Sequence, residues 1–115
     1  MAISKKLRQQ VFDKYNGKCA YCGTELNKGW QVDHILPQYC GGGSHFENLN
    51  PCCIDCNSYK RYHDLEGYRR QLSKMLNKKP EYLFKSKTKM QVATKMGSIQ
   101  HTKWNEVFYF ETINN

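Results

Sequence analysis

The chain has 115 residues, six cysteines and a formal net charge of +8. With a mean hydropathy of -0.81, apolar burial alone builds a thin core, so disulfides or a metal are expected to hold the fold. No apolar run is long enough to span a membrane, which excludes an integral membrane helix.

The opening MAISKKLRQQV lacks the apolar stretch of a secretion signal, and the expected location is a reducing cytoplasm. Cysteine pairs there bind metal more often than they oxidise. The charge is uneven. Residues 1–57 hold six Lys and Arg against five Asp and Glu, whereas residues 58–115 hold twelve against five. That basic half points to a polyanionic partner, nucleic acid before membrane, because no amphipathic anchor accompanies it.

In chain order, Ser4 to Tyr15 reads as a helix. Ser4 is its cap, Leu7, Val11, Phe12 and Tyr15 form one apolar face, and Asn16-Gly17 is the stop. Its other face carries Lys5, Lys6, Arg8 and Lys14, expected to be solvated. Cys19-Ala-Tyr-Cys22-Gly23 is a knuckle. Trp30 to Leu36 has strand composition and ends at Pro37, Gly41–Gly43 with Ser44 is a turn, and His45 to Asn50 is the returning strand. A helix is expected from Ile54 past Tyr59 and Lys60. Another runs from an Asp64 cap to about Leu76, burying Leu65, Tyr68, Leu72, Met75 and Leu76. Beyond Pro80 a helix within 82–96 and a strand over Trp104 to Glu111 are the reading.

Cys19-x-x-Cys22 and Cys53-x-x-Cys56 offer four thiolates in two tight turns, the sulfur shell of structural Zn²⁺. One pair alone would leave a redox role open; two pairs favour the metal. They bracket the 33–50 segment, so closing the site would clamp that hairpin and make metal binding part of folding. Cys40 and Cys52 are left as plain thiols.

Asp33, His34, Asn48 and Asn57 form a second group. Hydrolysis of a phosphodiester needs a base for the attacking water and a divalent ion to steady the phosphate charge. Imidazole titrates near neutrality and suits the first task. A carboxylate and an amide oxygen suit Mg²⁺ or Mn²⁺. Asn48 is expected to accept from the imidazole N–H not used in chemistry. Neighbours in a strand point to opposite faces, so Asp33 and His34 share a phosphate only where the hairpin is twisted or bent.

Asp33-His34-Ile35, the Gly41–Gly43 turn, Asn48-Leu49 and Cys53-x-x-Cys56-Asn57-x-x-Lys60, taken as an ordered set, resemble the HNH nuclease family in its four-cysteine, zinc-stabilised branch. The resemblance covers about residues 15–75. With the leading helix and the helical and β extension over 80–115 read above, the expected fold is α+β; the resemblance itself implies a ββα-metal core within 15–77, clamped by a four-cysteine zinc site. It also implies a DNA endonuclease with His34 as general base, Asn48 as the residue orienting it, and Asp33 with Asn57 on a catalytic Mg²⁺ or Mn²⁺. Lys60 falls where the family often has a basic residue near the substrate backbone. Asn at 57, where many relatives have His, shifts the expected ion towards Mg²⁺ or Mn²⁺.

Arg61, His63, Arg69 and Arg70 join Lys60 as expected DNA contacts, interleaved with Tyr59 and Tyr62. Double-stranded DNA is the expected partner, in a protein of bacterial or phage origin. A homodimer through the C-terminal segment would cut both strands, and the apolar WNEVFYFE edge would suit pairing with a partner in a larger complex. Two other readings compete. One is a zinc-stapled nucleic-acid-binding module without catalysis; the other is a nuclease subunit active only in a packaging or restriction complex.

Overall fold

A computed structural model describes residues 3–76, 92 and 107–113. The first helix, α1, spans Lys5–Asp13, and Ser4 Oγ accepts the Leu7 N–H at 3.1 Å as its cap. Asn16 and Gly17 both take positive φ and end it, with Gly17 N–H closing on Phe12 O. Val11 is fully buried, against Trp30 and Leu49. The cationic face of α1 is only partly free. Arg8 donates to Trp30 O and lies 4.0 Å over its ring, while Lys14 donates to Phe46 O and Leu49 O. Those two residues fasten α1 to the hairpin, and Lys5 and Lys6 stay exposed.

The hairpin pairs β1 (Gln31–His34) antiparallel to β2 (Leu49–Cys52), setting Asp33 opposite Asn50 and His34 opposite Leu49. The return strand therefore starts later than the expected His45. Phe46–Asn48 forms a 3₁₀ turn first, and the strand continues through Pro51 to Cys52. A proline without an N–H is tolerated because a two-stranded sheet has an unpaired edge on each strand. That edge is used: Ala20 N–H donates to Pro51 O and docks the 19–22 knuckle on β2.

Helix α2 (Ile54–Lys60) follows at once, with Cys53 as its cap. It stops at Lys60 rather than running past it, because Arg61 adopts φ 50°. Helix α3 (Leu65–Leu76) is capped by Asp64 Oδ1, which accepts from Gly67 N–H, and it buries Tyr68 and Leu72 as its spacing predicts. The C-terminal segment is a correction. Residues 107–108 are irregular and Tyr109–Ile113 forms α4, not a strand. Glu111 reaches back to the Phe108 N–H, the reciprocal bond of a capping box, and this selects a helix over an extended chain. Tyr109 and Phe110 N–H groups bond to Tyr21 O and Ala20 O, so the segment folds onto the knuckle and leaves no apolar edge strand over 107–113. The expected helix within 82–96 and residues 104–106 of the expected strand lie outside the described residues, apart from Val92, which is helical and buried. Among the described residues no helix is long and apolar enough to cross a membrane.

One side chain ties these pieces together. Lys60, at the end of α2, is fully buried and donates to Asp33 Oδ1 (3.2 Å), His34 O (3.1 Å) and His63 O (2.7 Å). An ammonium has three protons, and all three are spent. Replacing Lys60 by Met strands a buried carboxylate, and the expected loss is about 3–5 kcal/mol of unfolding free energy. Urea midpoints of the wild type and Lys60→Met, at fixed zinc, measure it; a loss within experimental error would show that the contact is not structural.

Candidate functional site

Two centres are built on the hairpin and α2. In the first, the knuckle brings Cys19 and Cys22 against Cys53 and Cys56 at the start of α2, and the four Sγ atoms all lie within 4.8 Å of one another. The Cys22–Cys53 separation is 3.7 Å. A disulfide needs about 2.05 Å, whereas four sulfurs about 2.3 Å from one ion stand about 3.8 Å apart along each tetrahedral edge. The spacing fits a tetrahedral metal. Hydrogen bonds from Cys22 first, then Cys52, Cys53 and Cys56, hold the Cys19 thiol far below its ordinary range. Cys53 Sγ also accepts the Cys56 N–H, closing the α2 cap inside the cluster. Cys52 is buried beside the four, and burial pushes its thiol well up; Cys40 is exposed.

The second centre is a surface cleft of about 380 Å³ bordered by Asp33, His34, Asn57, Arg61, Tyr39 and Tyr62. Strand alternation is overcome because β1 ends at His34 and the chain turns through Pro37 into a 3₁₀ turn, Gln38–Cys40. The loop closes tightly. A Cβ on Gly42 would collide with the Leu36 carbonyl oxygen, so only glycine fits there.

Asp33 is 5% exposed. Both its oxygens are held, one by Lys60 and the other by the Tyr21 hydroxyl, with Lys60 also 3.2 Å from the second. Burial raises its pKa and the Lys60 cation opposes that rise. A carboxylate has about four acceptor positions, so the two hydrogen bonds, from Lys60 and from Tyr21, do not exhaust it. Hydrogen-bonded partners behind a metal-binding carboxylate are the usual arrangement. Asp33 and Asn57 both border the cleft and carry oxygen donors of the kind a hard divalent ion prefers.

His34 is partly exposed, and its Nε2 lies 3.0 Å from Ser44 Oγ. Desolvation lowers its pKa while the neighbouring Asp33 charge raises it, leaving it below the ordinary imidazole value of 6.5. Asn48 does not reach the imidazole as expected. Its Oδ1 accepts the Leu36 N–H, and its Nδ2 donates to Leu36 O and Gly43 O. It pins both ends of the loop that delivers Ser44, so its grip on His34 is indirect.

Of the five residues expected on DNA, Arg61 borders the cleft and Arg70 is exposed. Lys60 is buried and its protons are used, so it cannot touch a phosphate. Arg69 is committed as well: its guanidinium bonds Glu66 and, bidentately, Glu111, and lies 5.0 Å over the Phe108 ring. It docks α4 on α3. His63 is partly buried and its carbonyl receives Lys60. Sequence reasoning missed Tyr21 and Ser44. The first looks like a spacer within Cys-x-x-Cys and the second like turn filler, and only the folded chain brings them to Asp33 and His34.

Comparison with known proteins follows the same outline. No curated protein matches the chain. A family model described as HNH endonuclease matches residues 19–73. That span opens on the first cysteine of the sulfur cluster, closes within α3 and encloses every residue named around the cleft. Over these residues, therefore, the chain is similar to the HNH endonuclease family, and its four clustered cysteines fit the zinc-stabilised branch of that family.

Proposed function

We propose that this protein is a metal-dependent endonuclease that hydrolyses phosphodiester bonds in DNA. The observation that carries the reading is the convergence of His34, Asp33 and Asn57 on one cleft. In the proposal, Nε2–H of His34 donates to Ser44 Oγ, which leaves the Nδ1 lone pair as the base that takes a proton from water. Asn48 is a positioning residue, holding the loop that carries Ser44. Asp33 and Asn57 are the residues that hold Mg²⁺ or Mn²⁺, and the bound ion supplies charge stabilisation at the scissile phosphate. Tyr21 and Lys60 keep the Asp33 carboxylate in one orientation. Cys19, Cys22, Cys53 and Cys56 take Zn²⁺ as a structural ion, and Arg61 attracts the backbone.

Plasmid nicking read on a gel tests the reading. His34→Ala keeps the fold and its zinc but loses about 10²–10⁴-fold in rate; unchanged cutting by this variant would refute the base assignment. Shifted but uncut plasmid under Mg²⁺, Mn²⁺ and Zn²⁺ alike would favour a binding module instead. The pH dependence has a definite sign. The base works unprotonated, so the rate falls as pH drops through the lowered His34 value, and the acid limb lies below 6.5; a midpoint at or above that value contradicts the assignment. For the sulfur cluster, Cys56→Ser and a strong chelator are each expected to release the zinc and abolish cooperative thermal unfolding. Metal analysis and calorimetry read both, and an unchanged transition in metal-free protein would remove the structural role.

A further inference from the structure

Tyr39 and Tyr62 are each 72% exposed, more than any other large hydrophobic side chain among the described residues. Both stand on the border of the cleft that contains Asp33 and His34. They are not loose. The Tyr39 hydroxyl donates to Tyr62 O at 2.8 Å, and the rings meet edge to face, 6.3 Å apart at 82°. The backbone on each side is specialised for the placement. Tyr39 sits in the 3₁₀ turn closed by Gly41 at φ 92°, and Tyr62 follows Arg61 at φ 50°, a conformation that non-glycine residues adopt at an energetic cost.

Two rings at right angles form a corner, with a face on one wall and an edge on the other. Such a corner fits a flat aromatic ligand. A stacked duplex keeps its base faces covered, so only an unstacked base can use a tyrosine face. Arg61 borders the same cleft and offers a cation to the strand that carries the base. Holding the rings together in advance reduces the ordering cost of binding.

We propose that the Tyr39–Tyr62 corner is a nucleobase-stacking subsite, and that the preferred substrate presents an unpaired base next to the scissile phosphate, as single-stranded DNA does. The inference deepens the nuclease reading and rests on it for the position of the phosphate. It departs from the intact duplex expected from the sequence.

Binding, read without cleavage, separates the two. Fluorescence anisotropy of the zinc-loaded protein, without added Mg²⁺ or Mn²⁺, is measured on labelled oligothymidylate and on a labelled hairpin duplex, closed by a non-nucleotide linker and of equal phosphate count, at one salt concentration. The wild type is expected to prefer the unpaired strand. Tyr62→Ala and Tyr39→Ala each weaken that binding about tenfold, change the hairpin by less than about twofold, and Tyr62→Phe restores it. Both tyrosines are exposed, so bound zinc and far-ultraviolet dichroism should match the wild type. A preference for the hairpin, equal losses on both probes, or no loss would overturn the subsite. A protein that shows the expected losses yet nicks nothing would sink the nuclease reading and keep this one.

Discussion

The contact on which the rest depends is the ammonium of Lys60 inside the hairpin–helix unit. Taking a lysine charge out of water costs several kcal/mol, and a single exposed partner would not repay it. Here the carboxylate of Asp33 supplies the opposite charge, and two backbone carbonyls take the remaining protons. The three acceptors come from β1, from its final residue, and from the turn after α2. A residue that looks from the sequence like a surface cation is the rivet between strand and helix. Its charge also opposes the rise that burial imposes on the Asp33 carboxyl.

The sulfur cluster performs the matching task at the start of α2. Its first pair comes from a knuckle that bonds to β2 through Ala20, and its second pair opens α2. Four sulfurs at tetrahedral spacing fix the angle between hairpin and helix. Once that angle is set, Asp33 and Asn57 face the same cleft. The cluster builds the site without entering it.

How much of this the sequence discloses depends on range. Local signals read well: the Ser4 cap, the Asn16-Gly17 stop, the Asp64 cap and the apolar face of α3 are decided by residues within a turn of one another. Metal spacing reads well too, because Cys-x-x-Cys leaves little freedom. Misreadings arise where a distant partner decides. WNEVFYFE has strand composition, yet Glu111 caps its own segment and pairs with Arg69, forty-two residues earlier, giving a helix. Asn48 has the right chemistry to orient an imidazole, but its amide oxygen and nitrogen both bond to backbone groups of the loop instead. Lys60 and Arg69 look like contacts for a polyanion until the fold shows which carboxylates hold them.

The aromatic residues tie the C-terminal segment to the Asp33 carboxylate. The Tyr21 ring lies edge-on to Tyr68, Phe108 and Phe110, at centroid separations of 5.5, 5.2 and 6.0 Å. Edge-to-face contacts of this kind hold a ring more tightly than area alone would. The buried hydroxyl at the end of that ring donates to Asp33. Two of the three walls of the cage come from residues 108 and 110, which α4 and the Arg69–Glu111 pair keep in place. Loosening that pair would therefore free the Tyr21 ring, and with it one of the two groups that aim the Asp33 carboxylate. The segment after the span matched by the family is part of the apparatus that orients the site, although it touches no residue of the cleft border by hydrogen bond among the described contacts. The two exposed tyrosines, by contrast, contribute nothing to this cage. Burial has sorted the same residue type into two trades: inside, a ring that positions an acid, and outside, rings left facing solvent where a ligand can reach them.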